Sequence, residues 1–224
     1  MRMHDGAPGE GTTSERLITA AERLFAAHGI DAISLREINR AAGARNGSAL
    51  QYHFRDRNGL LRAVMAKHHR DVEARRHAML DAYEAEALPD VRALAGALVR
   101  PLASKLDDPD GGPQYLRILA DLMNRPRPPI NPASLDDPRS SMYRWRTLVG
   151  SLLEDDATRL HRRFTAIRFA AVELGRRAQT APHTDDRLFT AHLVDLVAGV
   201  LTAPLSDETR RLAAQRPRGA RSTA

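Results

Sequence analysis

Apolar residues in this chain recur at intervals of three and four from Leu17 to Leu201, and no alternating run of Val, Ile or Thr bounded by turns interrupts them. A sequence patterned that way has no strand to build a sheet from, so the expected fold is all-α. With 224 residues it can bury a sizeable core and accommodate a small domain followed by a larger one.

The helix signals can be placed along the chain. Residues 1–11 are glycine-rich and polar, which predicts a disordered tail. "TTSERLITAAERLFAAHG" opens on hydroxyl caps, sets Leu17, Ile18, Ala21, Leu24 and Phe25 on one face and stops at Gly29. "SLREINRAAG" starts with a capping box, Ser34 and Glu37, and ends at Gly43 with a Leu35, Ile38, Ala42 stripe between. A third short helix fits residues 46–54, with Leu50 and Phe54 inward and Ser48, Gln51 and Tyr52 outward. Asp56 can cap a long fourth helix reaching about residue 86.

Further helices fit 90–106, with a kink at Pro101, then 113–124 and 139–155; five prolines stiffen the loop between the last two. Residues 157–179 and 185–203 are the most apolar. Leu160, Phe164, Ile167, Ala171 and Leu174 form a stripe on the first, and apolar residues cover more than half of the second, which implies a partner surface. From Ser206 onward the chain reads as a basic tail, disordered or a frayed helix.

Composition excludes several function classes. Without cysteine there is no disulfide framework, thiolate metal site or cysteine nucleophile. No run of eighteen apolar residues can span a bilayer and the N-terminus lacks an apolar leader, so no membrane partner and a cytoplasmic location are expected. The net charge of +6 permits a polyanionic partner without requiring one. Lys67 and Lys105 are the only lysines, so the positive charge is almost all guanidinium, whose planar fork suits phosphate and guanine edges.

The histidines of "KHHRD" do not suggest chemistry. Neighbouring His68 and His69 point about 100° apart on a helix, so both cannot face one ion, and His77 adds no recognisable triad. No catalytic residue, metal site or cofactor is expected.

From Ser34 to Arg57, five arginines stand against Glu37 and Asp56, a net +3. Two short helices around a glycine-containing turn, the second with polar residues outward, have the form of a helix-turn-helix that can enter a major groove about 12 Å wide. A solvated corner of two polar helices fits the same spacing.

Residues 12–61 resemble the N-terminal domain of the tetracycline-repressor (TetR) family of bacterial transcription regulators. The resemblance is carried by "AAERLFAAHG", "SLREINRAAG", the "LQYHF" ending of the third helix and the polar-basic step "RDRNGLL". The chain departs from the family in having Asn39 where alanine is usual, and ten residues between Gly43 and Phe54, one more than is common.

The resemblance implies a three-helix DNA-binding head followed by a larger helical ligand-binding and dimerisation domain, about nine helices in all. Boundaries follow at residues 1–11 (tail), 12–57 (head), 58–205 (larger domain) and 206–224 (basic tail). Ser34, Arg36, Tyr52, His53 and Arg57 are candidates for phosphate contacts, and Arg45, Asn46, Ser48 and Gln51 for base edges.

Dimerisation through the last two helices is expected, with Phe164, Ile167, Phe189, Val194 and Val197 at the seam. A small-molecule effector would be lined by His68, Arg75, Met79, Tyr83, Tyr115, Leu119, Met123, Met142 and Trp145. The partners expected are thus a double-stranded operator with an inverted repeat, a second copy and an effector, and the role expected is that of a repressor. A helical dimer that binds DNA without selectivity, or a helical enzyme, are the competing readings.

Overall fold

The computed structural model describes residues 12–44, 49–86, 90–126, 136–156, 160–180 and 183–215. Among them are ten helices and no strand: α1 (Thr13–His28), α2 (Leu35–Ala41), α3 (Ala49–Phe54), α4 (Arg57–Ala85), α5 (Val91–Ala103), α6 (Gly112–Asn124), α7 (Ser141–Leu152), α8 (Arg162–Arg177), α9 (Arg187–Thr202) and α10 (Asp207–Ala214). They form two compact units that divide between His68 and His69. None of the helices is by itself long and apolar enough to cross a membrane.

In the first unit, local sequence sets the helix ends. Capping boxes close the N-termini of α1, between Thr12 and Glu15, and of α2, between Ser34 and Glu37. Gly29 and Gly43 end these helices with φ of 88° and 62°, a left-handed backbone that residues with a Cβ adopt only under strain. The core gathers Leu17, Ala21 and Phe25 of α1, Ile38 of α2, Leu50 of α3, and Leu60, Leu61 and Val64 of α4. Seven- and six-residue helices bury too little by themselves, so three turns of α4 complete this core, and the unit extends to His68 rather than to residue 57.

In the second unit α8 packs on α6, α9 on α5 and on α8, and α7 against α5. The α6–α8 crossing is close: a Cβ on Gly175 would lie 2.3 Å from that of Ala120. For that reason α8 buries its small residues, Ala166, Ala170, Ala171 and Gly175, together with Leu174. Of the apolar stripe read in this segment, Ala171 and Leu174 are buried, whereas Leu160 and Phe164 are exposed. The tail also begins in order: Ser206 accepts from the amide of Thr209 and caps α10.

Candidate nucleic-acid interface

The helix-turn-helix is α2, the turn after it, and α3. Its turn is fastened by the amide of Ala44 on the carbonyl of Asn39 at 3.0 Å, and Asn39 itself is buried. Leu50 anchors α3 in the core at 1% exposure, while Phe54 is half-buried. Gln51, Tyr52 and His53 therefore face solvent, Tyr52 at 85% exposure, with its ring edge-on to His53 at 5.1 Å. Arg45, Asn46 and Ser48 lie outside the described residues.

The corner after α3 is tight. Arg55 takes φ of 67°, and the carboxylate of Asp56 accepts from the amide of Gly59 at 2.7 Å, capping α4. Arg55 and Arg36 are exposed and carry no ion pair among the described residues. In the second unit, by contrast, Arg75, Arg92, Arg125, Arg144, Arg177 and Arg187 each hold a carboxylate.

Two expected phosphate contacts have other work. The hydroxyl of Ser34 donates to Glu37 at 2.7 Å, and its hydrogen bonds hold the Glu37 carboxyl below the ordinary carboxylate value. Arg57 donates through Nη1 to the carbonyl of Ile30, tying α4 to the α1–α2 connection. Arg55, which the sequence reading passed over, is the exposed guanidinium at this corner; the aspartate cap beside it was the available signal.

The expected ligand-lining residues do not all converge. His68 is buried in the first unit, where its Nε2 meets Glu22 at 2.6 Å; Glu22 also accepts from Lys67 at 3.0 Å. Arg75 is exposed and paired with Asp71, whereas its neighbour Arg76 is buried. Tyr115, Met123 and Trp145 are buried, and Met79, Tyr83, Leu119 and Met142 half-buried, in the second unit. The Trp145 indole donates to the carbonyl of Leu94 at 2.7 Å. Two clefts of this unit, of about 520 and 750 Å³, are lined around α9 by none of these residues.

The residues expected at the seam differ in exposure. Val194 and Val197 are fully buried in the unit's own core. Phe189 lies under the guanidinium of Arg177 at 5.0 Å, and Ile167 is half-buried. The large apolar side chains left exposed on these two helices are Phe164 of α8 and Leu188 and Leu196 of α9. Among the described residues, no group of three or more His, Asp or Glu could hold a metal ion.

Comparison with known proteins places the head. The profile of bacterial regulatory proteins of the tetR family matches residues 17–64. No curated protein matches the sequence significantly. Among solved structures, AmtR of Mycobacterium smegmatis aligns with a TM-score of 0.53 over 93% of this chain and 95% of its own, at 19% identity. The fatty acid degradation regulator FadR of Bacillus halodurans reaches 0.44 over 86% and 99%, at 17% identity, too loose a likeness to argue from. The first of these shares the all-α fold, and the profile match covers α2, α3 and most of α1. This chain therefore carries, at residues 17–64, the helix-turn-helix DNA-binding domain of the TetR family of transcription regulators.

Proposed function

We propose that the protein is a dimeric, sequence-specific DNA-binding regulator of the bacterial cytoplasm, a repressor released from its operator by a small-molecule effector, and not an enzyme. The observation that carries this reading is the solvent exposure of Gln51, Tyr52 and His53 of α3, of Arg55 just after them and of Arg36 of α2, neither guanidinium holding a carboxylate among the described residues. Guanidinium groups without a carboxylate partner are free to displace the counterions of a phosphate backbone, and glutamine can pair with an adenine edge.

Arg36→Ala and Arg55→Ala should each weaken binding to every duplex and flatten its salt dependence by about one counterion. Gln51→Ala should relax preference at one or two base pairs at a cost of about 1–3 kcal/mol each. Titration of operator and random duplexes across salt concentrations separates the two behaviours; equal affinities in parent and variants would reject this surface.

One recognition helix reads too few base pairs to be selective, so two copies reading half-sites about 34 Å apart, or a multiple of that, are required. The exposed Phe164, Leu188 and Leu196 supply apolar surface for such pairing. Leu196→Arg should give a monomer in sedimentation and lower operator affinity about 100-fold or more, because the second half-site contact is no longer intramolecular. A Leu196→Arg protein that stays dimeric would remove α9 from the interface. Recovery of genomic DNA bound by the purified protein tests the whole reading: an inverted repeat is expected, and unselective recovery would leave only a basic helical dimer.

A further inference from the structure

Pro101 lies in the last turn of α5 and has no amide, so the carbonyl of Ala97, four residues earlier, lacks its helical donor. Nε of Arg76 on α4 takes that place at 3.2 Å, and Nη1 of the same guanidinium donates to the Ser141 hydroxyl of α7 at 3.0 Å. Arg76 is thus fixed by the acceptors it serves, and its role is structural.

Arg16 of α1, in the head, is packed without such a return. Its Nε is sealed from solvent and has no acceptor. Among the described residues its side chain makes one hydrogen bond, from Nη2 to the Thr13 hydroxyl at 3.3 Å, and no ion pair. The neighbouring carboxylate is committed elsewhere, since Oε2 of Glu15 accepts from the amide of Thr12 at 2.7 Å in the capping box of α1. Sealing a donor of a cation away from any acceptor costs stability, so the position of this guanidinium calls for a role outside the fold's own needs.

Arg16 lines a cleft of about 360 Å³ between the first half of α1 and the end of α2, with Thr19 and Arg23 along the same wall and Ala41 and Ala42 on the other. Arg23 stands two helical turns after Arg16, which sets both on one side of α1. It is exposed and holds no carboxylate among the described residues. The alanines opposite are too small to fill the space and carry no charge. The cleft therefore has two guanidiniums and a hydroxyl against the single carboxylate of Glu15, and none of its lining comes from α3. A planar guanidinium fork matches the paired oxygens of a phosphate better than any other side chain does.

We propose that this cleft is a phosphate-binding site on the head, separate from the solvent face of α3, with Arg16 and Arg23 as its donors. Two sources offer that chemistry: the duplex backbone beyond the base pairs that α3 reads, and a small phosphate in solution. The site rests on the head alone; only the first source rests on the DNA-binding reading above.

Two titrations of the full chain test it, each in parent, Arg16→Gln and Arg23→Gln proteins. One is calorimetry with pyrophosphate at low salt. The other compares a duplex that ends at the recovered inverted repeat with one extended by about ten base pairs on each side. If the backbone supplies the phosphate, the parent binds the extended duplex about 10-fold more tightly than the short one, and each variant loses that gain while keeping the short-duplex affinity. If a small phosphate supplies it, pyrophosphate binds the parent, each variant weakens it about 10-fold, and the two duplexes are bound alike. The proposal is overturned if neither pyrophosphate nor the extension is felt by the parent, or if both variants match the parent in both titrations. Arg16→Gln should melt no lower than the parent, because the orphaned Nε goes with it; a packing role would lower the midpoint and move neither binding curve. Should Arg16→Gln fail to fold, Arg23→Gln, which breaks no hydrogen bond among the described residues, decides alone. Failure of both duplexes to bind would strike the DNA-binding reading and leave pyrophosphate to decide this one.

Discussion

Gly59→Ala is expected to lose about 3 kcal/mol of stability and with it the operator complex, although the substitution adds a single methyl group. An ideal Cβ at position 59 would lie 1.9 Å from the carbonyl oxygen of Phe54 and 3.0 Å from its carbon. Both are backbone atoms at the end of α3, so no side chain can swing aside. To admit the methyl group, the corner between α3 and α4 must open, taking Leu50 and the solvent face of α3 with it. Thermal unfolding should show a midpoint lower by about 10 °C. A variant that melts with the parent and still binds operator would show that the corner can relax.

Glu22→Ala should have a comparable cost, about 3 kcal/mol, for an electrostatic reason. Its carboxylate is 2% exposed and receives both Lys67 at 3.0 Å and His68 at 2.6 Å from α4. Removing it leaves His68 buried without that acceptor, whereas Lys67, one-fifth exposed, can turn toward water; this places the effect at the lower end for broken buried pairs. Replacing Glu22 and His68 together by leucine should recover much of the loss, since the interior then holds neither polar group. Urea unfolding of the single and double variants checks this, and a single variant as stable as the parent would refute it.

The helix-turn-helix was legible because its signals are local. The capping box of Ser34 and Glu37, the stop at Gly43 and the aspartate before α4 act within a few residues, and each appears where the pattern put it. What could not be read depends on other helices. Arg75 and Arg76 are adjacent and chemically identical, and only the packing of α5 and α7 decides that the second turns inward. Similarly, hydrophobicity does not say which side of α8 meets α6; the close approach to Ala120 selects the alanine and glycine face and leaves Phe164 exposed. Val194 and Val197, expected at the seam, lie in the unit's own core for the converse reason: an all-round apolar helix does not announce which side its own chain will cover.

Pro101 has a further consequence for how the second unit forms. The vacant carbonyl in α5 is filled by a side chain 21 positions upstream, so this helix cannot complete its hydrogen bonding as an isolated segment. Its final turn becomes fully satisfied only once α4 has docked, which ties the growth of one helix to the collapse of the whole bundle and makes the proline a source of folding cooperativity.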